Sequence, residues 1–201
     1  MSVSDPATLE ELNRLITEGE PGVTGGGRAV LGEGPIGADI ALVGEQPGDR
    51  EDIEGHPFVG PAGQVLDRVM TEAGLDRSRA YVTNAVKHFK FVQRGKRRLH
   101  QKPTAGEVKH YRWWLQREID LVHPKLVVAL GATAVLALAG KALPIGANRG
   151  ETHFGSHAGY ITVHPSSLLR IPDAEAKQEA YRAFLADFRR IRTLIAQRPA
   201  A

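Results

Sequence analysis

Three short runs in the chain carry the residue types from which a chemical site could be built. Gly44-Glu45-Gln46-Pro47-Gly48 sets a carboxylate and an amide on a tight turn, and glycines in such a turn let the backbone approach a ligand closely. Asn84 brings a second amide, and His164-Pro165-Ser166-Ser167 an imidazole beside two hydroxyls. Hydroxyls and turn N–H groups together suit a phosphate. Each run is weak alone. Gly-Pro turns after strands are common, paired serines make ordinary turns, and a histidine before proline is more often structural.

What unites the runs is where they fall. Apolar segments at 38–43, 80–84, 125–130 and 160–164 read as short strands, each bounded by Gly, Pro or a polar turn. Helical patterns lie between and beyond them. Residues 62–73 put Val65, Leu66, Val69 and Met70 on one face and stop at Gly74. Thr104-x-x-Glu107 is a capping box for a helix whose stripe is Val108, Tyr111, Leu115, Ile119 and Val122. Trp113 and Trp114 on that helix are assigned to core and surface packing. Residues 132–139 form a short apolar helix, and Tyr181, Phe184, Phe188, Ile191 and Ile195 run through a last helix near 174–195. At the start, Asp5-Pro6 reads as an N-cap and first helical residue ahead of Leu9, Leu12, Leu15 and Ile16. The glycine-rich stretch 19–37, centred on Gly25-Gly26-Gly27, reads as a flexible loop because no phosphate-cradle spacing supports it. Alternating strands and helices imply a parallel sheet covered on both faces, in which ligands bind at C-terminal strand ends. All three polar runs sit at such ends.

Length and composition set bounds. The 201 residues, 42% apolar, suffice for a single domain, 1–201, with a substantial core. No apolar run approaches the roughly 18 residues of a membrane helix. The N-terminus lacks the charged and apolar regions of a secretory signal, so the cytoplasm is expected. The absence of cysteine excludes disulfides, thiolate metal sites, a cysteine nucleophile and a cysteine-ligated iron–sulfur cluster. The eight histidines show no compact ligand spacing, so no metal is expected. Net charge is only +3, but residues 77–106 hold nine Lys/Arg and no Asp or Glu. Such a concentration suits phosphate neutralisation, and equally a solvated surface.

Together the motifs resemble the uracil-DNA glycosylase superfamily over roughly residues 30–190. GEQPGD (44–49) is similar to its base-binding turn after the first strand, and HPSSLLR (164–170) to its histidine and minor-groove loop. HPFVGPAG (56–63) resembles a segment of its iron–sulfur branches, and YVTN (81–84) the strand whose asparagine reads the base. Lys87-His88-Phe89-Lys90-Phe91 and Gly95-Lys96-Arg97-Arg98-Leu99-His100 are similar to the KHFKF and KRRIH elements of the UdgX subfamily, with Leu99 for isoleucine. The departure is the cluster. Those relatives ligate it with four cysteines, of which an N-terminal pair would fall near residues 17–22 and a third near Tyr111, and this chain has none. Packing by Tyr111 and Trp114 is expected in its place.

The resemblance implies a three-layer α/β/α fold around a four-stranded parallel sheet, and a monomeric enzyme acting on uracil-containing DNA; with no cysteine in the chain, no cofactor is expected. Phe58 would stack on a flipped base, Asn84 would bond its O4 and N3–H, and His164 would donate to O2. Glu45 would stabilise the cationic sugar or take a proton from the nucleophile. Gln46 stands in the slot of a water-activating aspartate, where an amide is a poor base. Gly44, Pro47 and Gly48 would shape the base turn; Gly48 replaces a tyrosine that excludes thymine in one branch. Ser166, Ser167 and Arg170 would hold DNA, Leu168 would wedge the vacated stack, and Lys96, Arg97 and Arg98 would contact the backbone. By this match His100 is a nucleophile that captures the sugar covalently; otherwise it is a phosphate contact. Two other readings share the motifs. One is a conventional multiple-turnover glycosylase leaving abasic DNA. The other is a catalytically silent binder using Phe89, Phe91 and the basic stretch as a groove.

Overall fold

A computed structural model describes residues 5–198 of the chain. Helix α1 (Leu9–Glu18) starts later than the Asp5-Pro6 pair suggests: its N-cap is Thr8, whose hydroxyl accepts from Glu11 N at 3.1 Å. A side-chain acceptor for an otherwise orphan helical N–H decides the start more firmly than proline's preset φ. Strand β1 (Ile40–Gly44) leads into α2 (Asp49–Glu54) and α3 (Pro61–Ala73), and α3 stops on left-handed Gly74 as expected. After β2 (Ala80–Asn84) the basic run folds into a hairpin, β3 (Phe91–Arg94) and β4 (Arg97–His100). Helix α4 (Ala105–Val122) opens on the Thr104/Glu107 capping box. Then follow β5 (Val127–Leu130), α5 (Ala132–Ala139), α6 (Ile145–Asn148), β6 (Gly150–Phe154), β7 (His157–Thr162), α7 (Pro165–Leu169) and α8 (Ala174–Ala196).

The main sheet has five strands in the order β2-β1-β5-β7-β6. The first four are parallel, as expected, and β6 adds an antiparallel edge to β7. Its sequence, GETHF, alternates half-buried and exposed positions up to Phe154 and carries no apolar run, which is why it reads as loop. Strand β7 begins three residues earlier than the apolar segment, and His164 leaves the sheet to cap α7.

The sheet divides the core into two layers. Ala41 and Val43 of β1 face the layer built with Tyr111, Leu115 and Ile119 of α4, and α5 closes it. Ile40 and Leu42 face Leu66 and Met70 of α3 with Phe184, Phe188 and Ile191 of α8. Trp114 packs against the first layer while Trp113 is largely exposed. Between them these stripes make the three-layer α/β/α arrangement. Chain direction across the sheet diverges between β1 and β5, and in such folds the crevice beyond those strand ends is where ligands bind.

A charged pair is buried beneath that crevice. Lys87 Nζ donates to Glu118 Oε2 at 2.5 Å and to the Asn84 carbonyl at 2.9 Å, and Tyr81 and Thr83 hydroxyls complete the carboxylate's bonding. Removing one partner of such a pair costs about 3–5 kcal/mol because the other charge is stranded. The network therefore fixes the end of β2, where Asn84 sits.

Candidate active site

The crevice is an open cleft of about 800 Å³. Strand ends supply its floor: Glu45 follows β1, Asn84 ends β2, and Gly131 follows β5. Gly131 has φ +90, and a Cβ there would stand 3.0 Å from His164 Cβ, so the left-handed turn lets His164 close one wall. Phe58, itself at φ +58, is nine-tenths buried, and its ring lies 6.2 Å from that of His164 at 27°. Gly44 stands beneath: a Cβ at that position would fall 2.6 Å from Phe58 Cζ and overlap Asn84 Oδ1. The result is a slot with a phenyl ring on one side and an amide edge at its end. No hydrogen bond engages the Asn84 side-chain amide among the described residues, so both its donor and acceptor face the cleft.

Glu45 and His100 meet at the mouth. His100 Nε2 lies 3.3 Å from Glu45 Oε1, and Thr133 Oγ1 donates to Glu45 Oε2 at 2.5 Å. Burial pushes the Glu45 carboxyl up, but the bonds from His100 and Thr133 outweigh it and leave the group below its ordinary value. Glu45 is thus ionised at neutral pH. His164 moves the other way. Burial is the main cause, only partly offset by Glu45, and it lowers the imidazole to about 4. The ring is neutral, and its Nδ1 accepts from Ser166 N at 3.2 Å. Nε2 therefore carries the proton and is free to donate.

The hairpin that carries His100 is fastened from three directions. The Gln46 amide donates to the carbonyls of Gln101 at 3.0 Å and Lys90 at 3.3 Å and accepts from Lys90 N at 3.2 Å, tying both ends of the hairpin to the β1 turn. Arg98 is paired with Asp49 at 2.6 Å and with Asp52, and its guanidinium lies over Phe89 and Phe91. The third fastening is the Gly-rich stretch. It is packed rather than loose: a Cβ on Gly27 would overlap the Asp52 carboxylate, so glycine there lets Asp52 reach Arg98.

Several expected roles change on this geometry. Leu168 is buried in the α3/α8 layer and cannot wedge; Leu169, one residue and about 100° further round the helix, is 41% exposed and lines the cleft. Arg98 is neutralised by two aspartates and anchors the hairpin instead of meeting a backbone phosphate. Gln46 lines the cleft but is nearly buried, and its side-chain amide is bonded to the hairpin. Gly44 and Pro47 are buried within the turn, while Gly48, Ser166, Ser167 and Arg170 line the cleft, Arg170 donating to Ser166 Oγ at 3.1 Å. Lys96 and Arg97 stand exposed at the hairpin tip without an ionic partner among the described residues.

Two residues join the site that sequence alone does not single out. Thr133 is one. Glu51 is the other: its buried carboxylate accepts from Gly48 N at 3.1 Å and Gly60 N at 2.9 Å, holding the Glu45 turn against the Phe58 loop. The signal for Glu51 is in the sequence as an acid three residues after Gly48, the N3 place of a helix start.

The iron–sulfur cluster implied by resemblance finds no ligands. Where its cysteines would fall, the Tyr111 hydroxyl accepts from Gly22 N at 2.8 Å and lies 2.6 Å from His88 Nδ1. Burial pushes Tyr111 up to about 12 and lowers His88, so a neutral phenol is paired with a neutral imidazole. Among the described residues there is no group of three or more His, Asp or Glu placed to hold a metal ion. No described helix is long and apolar enough to cross a membrane.

The chain is similar to known proteins over most of its length. Residues 31–189 match the family described as the Uracil DNA glycosylase superfamily. The type-4 uracil-DNA glycosylase of Thermotoga maritima is 35% identical over 169 residues, covering 83% of this chain and 82% of its own. That of Pyrobaculum aerophilum is 35% identical over 153 residues, covering 72% and 74%. That of Saccharolobus solfataricus is 33% identical over 181 residues, covering 85% and 78%.

Proposed function

Because the chain belongs to the uracil-DNA glycosylase superfamily, we propose that it excises uracil from DNA and that His100 then captures the resulting sugar. The chain is a DNA N-glycosylase. A uracil nucleotide turned out of the helix, at a cost of a few kcal/mol, stacks on Phe58 and presents its edge to Asn84. Cytosine offers the opposite donor pattern, leaving buried groups unpaired at about 1–3 kcal/mol each. As the bond between N1 and C1′ breaks, the electron pair departs with the base. His164 Nε2–H donates to uracil O2, stabilising the developing anion, and a neutral imidazole suffices for this. The cation left at C1′ faces Glu45, which is ionised.

The observation that carries the covalent step is the 3.3 Å approach of His100 Nε2 to Glu45 Oε1 at the cleft mouth. Glu45 takes the proton from Nε2, the electron pair left on that nitrogen attacks C1′, and a C–N bond joins protein to deoxyribose. Uracil is protonated by solvent. An oriented nucleophile reaches an effective molarity of about 10⁵ M or more, far above water, and an alkylated imidazole leaves reluctantly. The result is one turnover per protein.

Mixing protein with a uracil-containing oligonucleotide and running a denaturing gel tests this. A stoichiometric shifted band is expected, lost in His100→Ser and His100→Ala while uracil release persists in at least one of them. The type-4 names of the relatives favour a second reading, in which the same site turns over and releases abasic DNA. Many equivalents of uracil released without a shifted band would establish it.

A further inference from the structure

The outward face of the β3–β4 ribbon takes no part in the chemistry above. Register pairs Phe91 with His100, Val92 with Leu99, Gln93 with Arg98 and Arg94 with Arg97. Cross-strand partners share a face and faces alternate. Phe91, His100 and Arg98 therefore point inward, toward Phe89, Glu45 and the aspartates. Val92, Leu99, Arg94 and Arg97 point out. Val92 is 53% exposed and Leu99 38%. Neither arginine makes an ion pair or side-chain hydrogen bond among the described residues, although they stand directly opposite one another beside Lys96.

That arrangement is unfavourable for the isolated fold. Like charges directly across a strand pair repel, and two exposed aliphatic side chains on a narrow ribbon gain nothing from solvent. The hairpin does not need them for its shape. Its two-residue turn, Gly95 at φ +60 followed by Lys96, has the first-position glycine of a type II′ connection. The inward face fastens it through Arg98 and the Gln46 amide. Both costs reverse if a polyanion with apolar faces lies on the ribbon.

We propose that this outward face is a DNA contact, in which Arg94 and Arg97 clamp phosphates while Val92 and Leu99 lie against bases of the strand leading to the cleft. The inference rests on the DNA-glycosylase reading and adds a surface outside the reaction centre. Two phosphate contacts to a single strand contribute about 0.7 each to the slope of log affinity against log salt. At 0.1 M salt the loss of both weakens binding on the order of twentyfold.

The experiment measures binding of the full chain to a uracil-free single-stranded oligonucleotide at several salt concentrations, with a melting temperature for each variant. Arg94→Gln with Arg97→Gln should weaken binding and flatten the slope by about 1.4, while the melting temperature stays level or rises as repulsion is relieved. Val92→Ser with Leu99→Ser should weaken binding several-fold at unchanged slope. Unchanged affinity and slope in the arginine variant would overturn the proposal. So would a lowered melting temperature in it, since the arginines would then serve the fold. Because the probe holds no uracil, the outcome is separate from the chemistry. Wild-type protein that releases no uracil sinks the glycosylase reading alone, and release with normal binding by the arginine variant sinks the ribbon contact alone.

Discussion

At the scale of single residues, the site turns on how Glu45 is kept ionised while partly buried. Thr133 Oγ1 holds one carboxylate oxygen at 2.5 Å, which leaves the other aimed at His100. A hydrogen bond to a charged group is worth about 1.5–3 kcal/mol. Thr133→Val keeps the shape and removes that donor, so the Glu45 carboxyl should rise, since burial then meets less opposition. Adduct formation at neutral pH should fall on the order of tenfold, and the acid limb of its pH profile should move upward. Thr133→Ser should restore both. An acid limb that stays in place in Thr133→Val would show that the threonine merely packs. Thr133 was invisible to sequence reasoning because it belongs to an apolar helix, ATAVLALA, with no motif around it. Glu45, Asn84 and His164 were legible because each lies at or just beyond the C-terminal end of a strand in a parallel sheet, and topology alone brings such ends together.

At the scale of elements, the hairpin is what sequence reading missed and what the proposed capture by His100 depends on. Its strands are four residues each, polar and basic, so they lack the apolar alternation that announces a strand. The available clue was Gly95-Lys96 between runs of equal length. Gln46 bonds to both ends of this element, and a carboxylate in its place would face two carbonyls with no donor. Gln46→Glu and Gln46→Met should therefore behave alike. Each should slow adduct formation at least tenfold while uracil release falls less, because His100 loses its register but Asn84 and His164 do not. If Gln46→Glu alone gained multiple-turnover release, the side chain would be facing water in the cleft and the pin would be the wrong reading. The wedge shows the same limit of sequence. Choosing between Leu168 and Leu169 needs the helix phase, and α7 is only five residues long, too short for a periodicity to fix it.

At the scale of the whole molecule, charge and protonation decide more than composition suggests. The basic run of residues 77–106 is largely neutralised from outside itself: Arg77 by Asp67, Arg79 by Asp39, Lys87 by Glu118, Lys90 by Glu107 and Arg98 by Asp49 and Asp52. What is left without an ionic partner among the described residues is Arg94, Lys96 and Arg97 at the hairpin tip and Lys102 at the cleft, a distribution that charge counting cannot show. With no thiolate in the chain, purified protein should be colourless and contain no stoichiometric iron; a visible absorbance band accompanied by iron would contradict this. The response of stability to acid follows from His164. Unfolded, it binds a proton near 6.5; folded, burial defers that to about 4. Between those values the unfolded state holds more protons, so stability falls as pH falls. Glu45 and Asp39, both held below their ordinary values, act with the same sign but at lower pH, Asp39 between 3.8 and about 2. His88, also lowered by burial, shares the upper window, so wild-type melting alone does not isolate His164. The difference between wild type and His164→Gln does, since His88 is common to both. The melting temperature of wild type minus that of the variant should decline steadily as pH is taken from 7 down to about 4 and then level. A difference that grows across that window would mean that the fold favours the protonated imidazole, and the neutral donor to uracil O2 would have to be abandoned; a flat difference would mean that burial leaves the imidazole at its ordinary value.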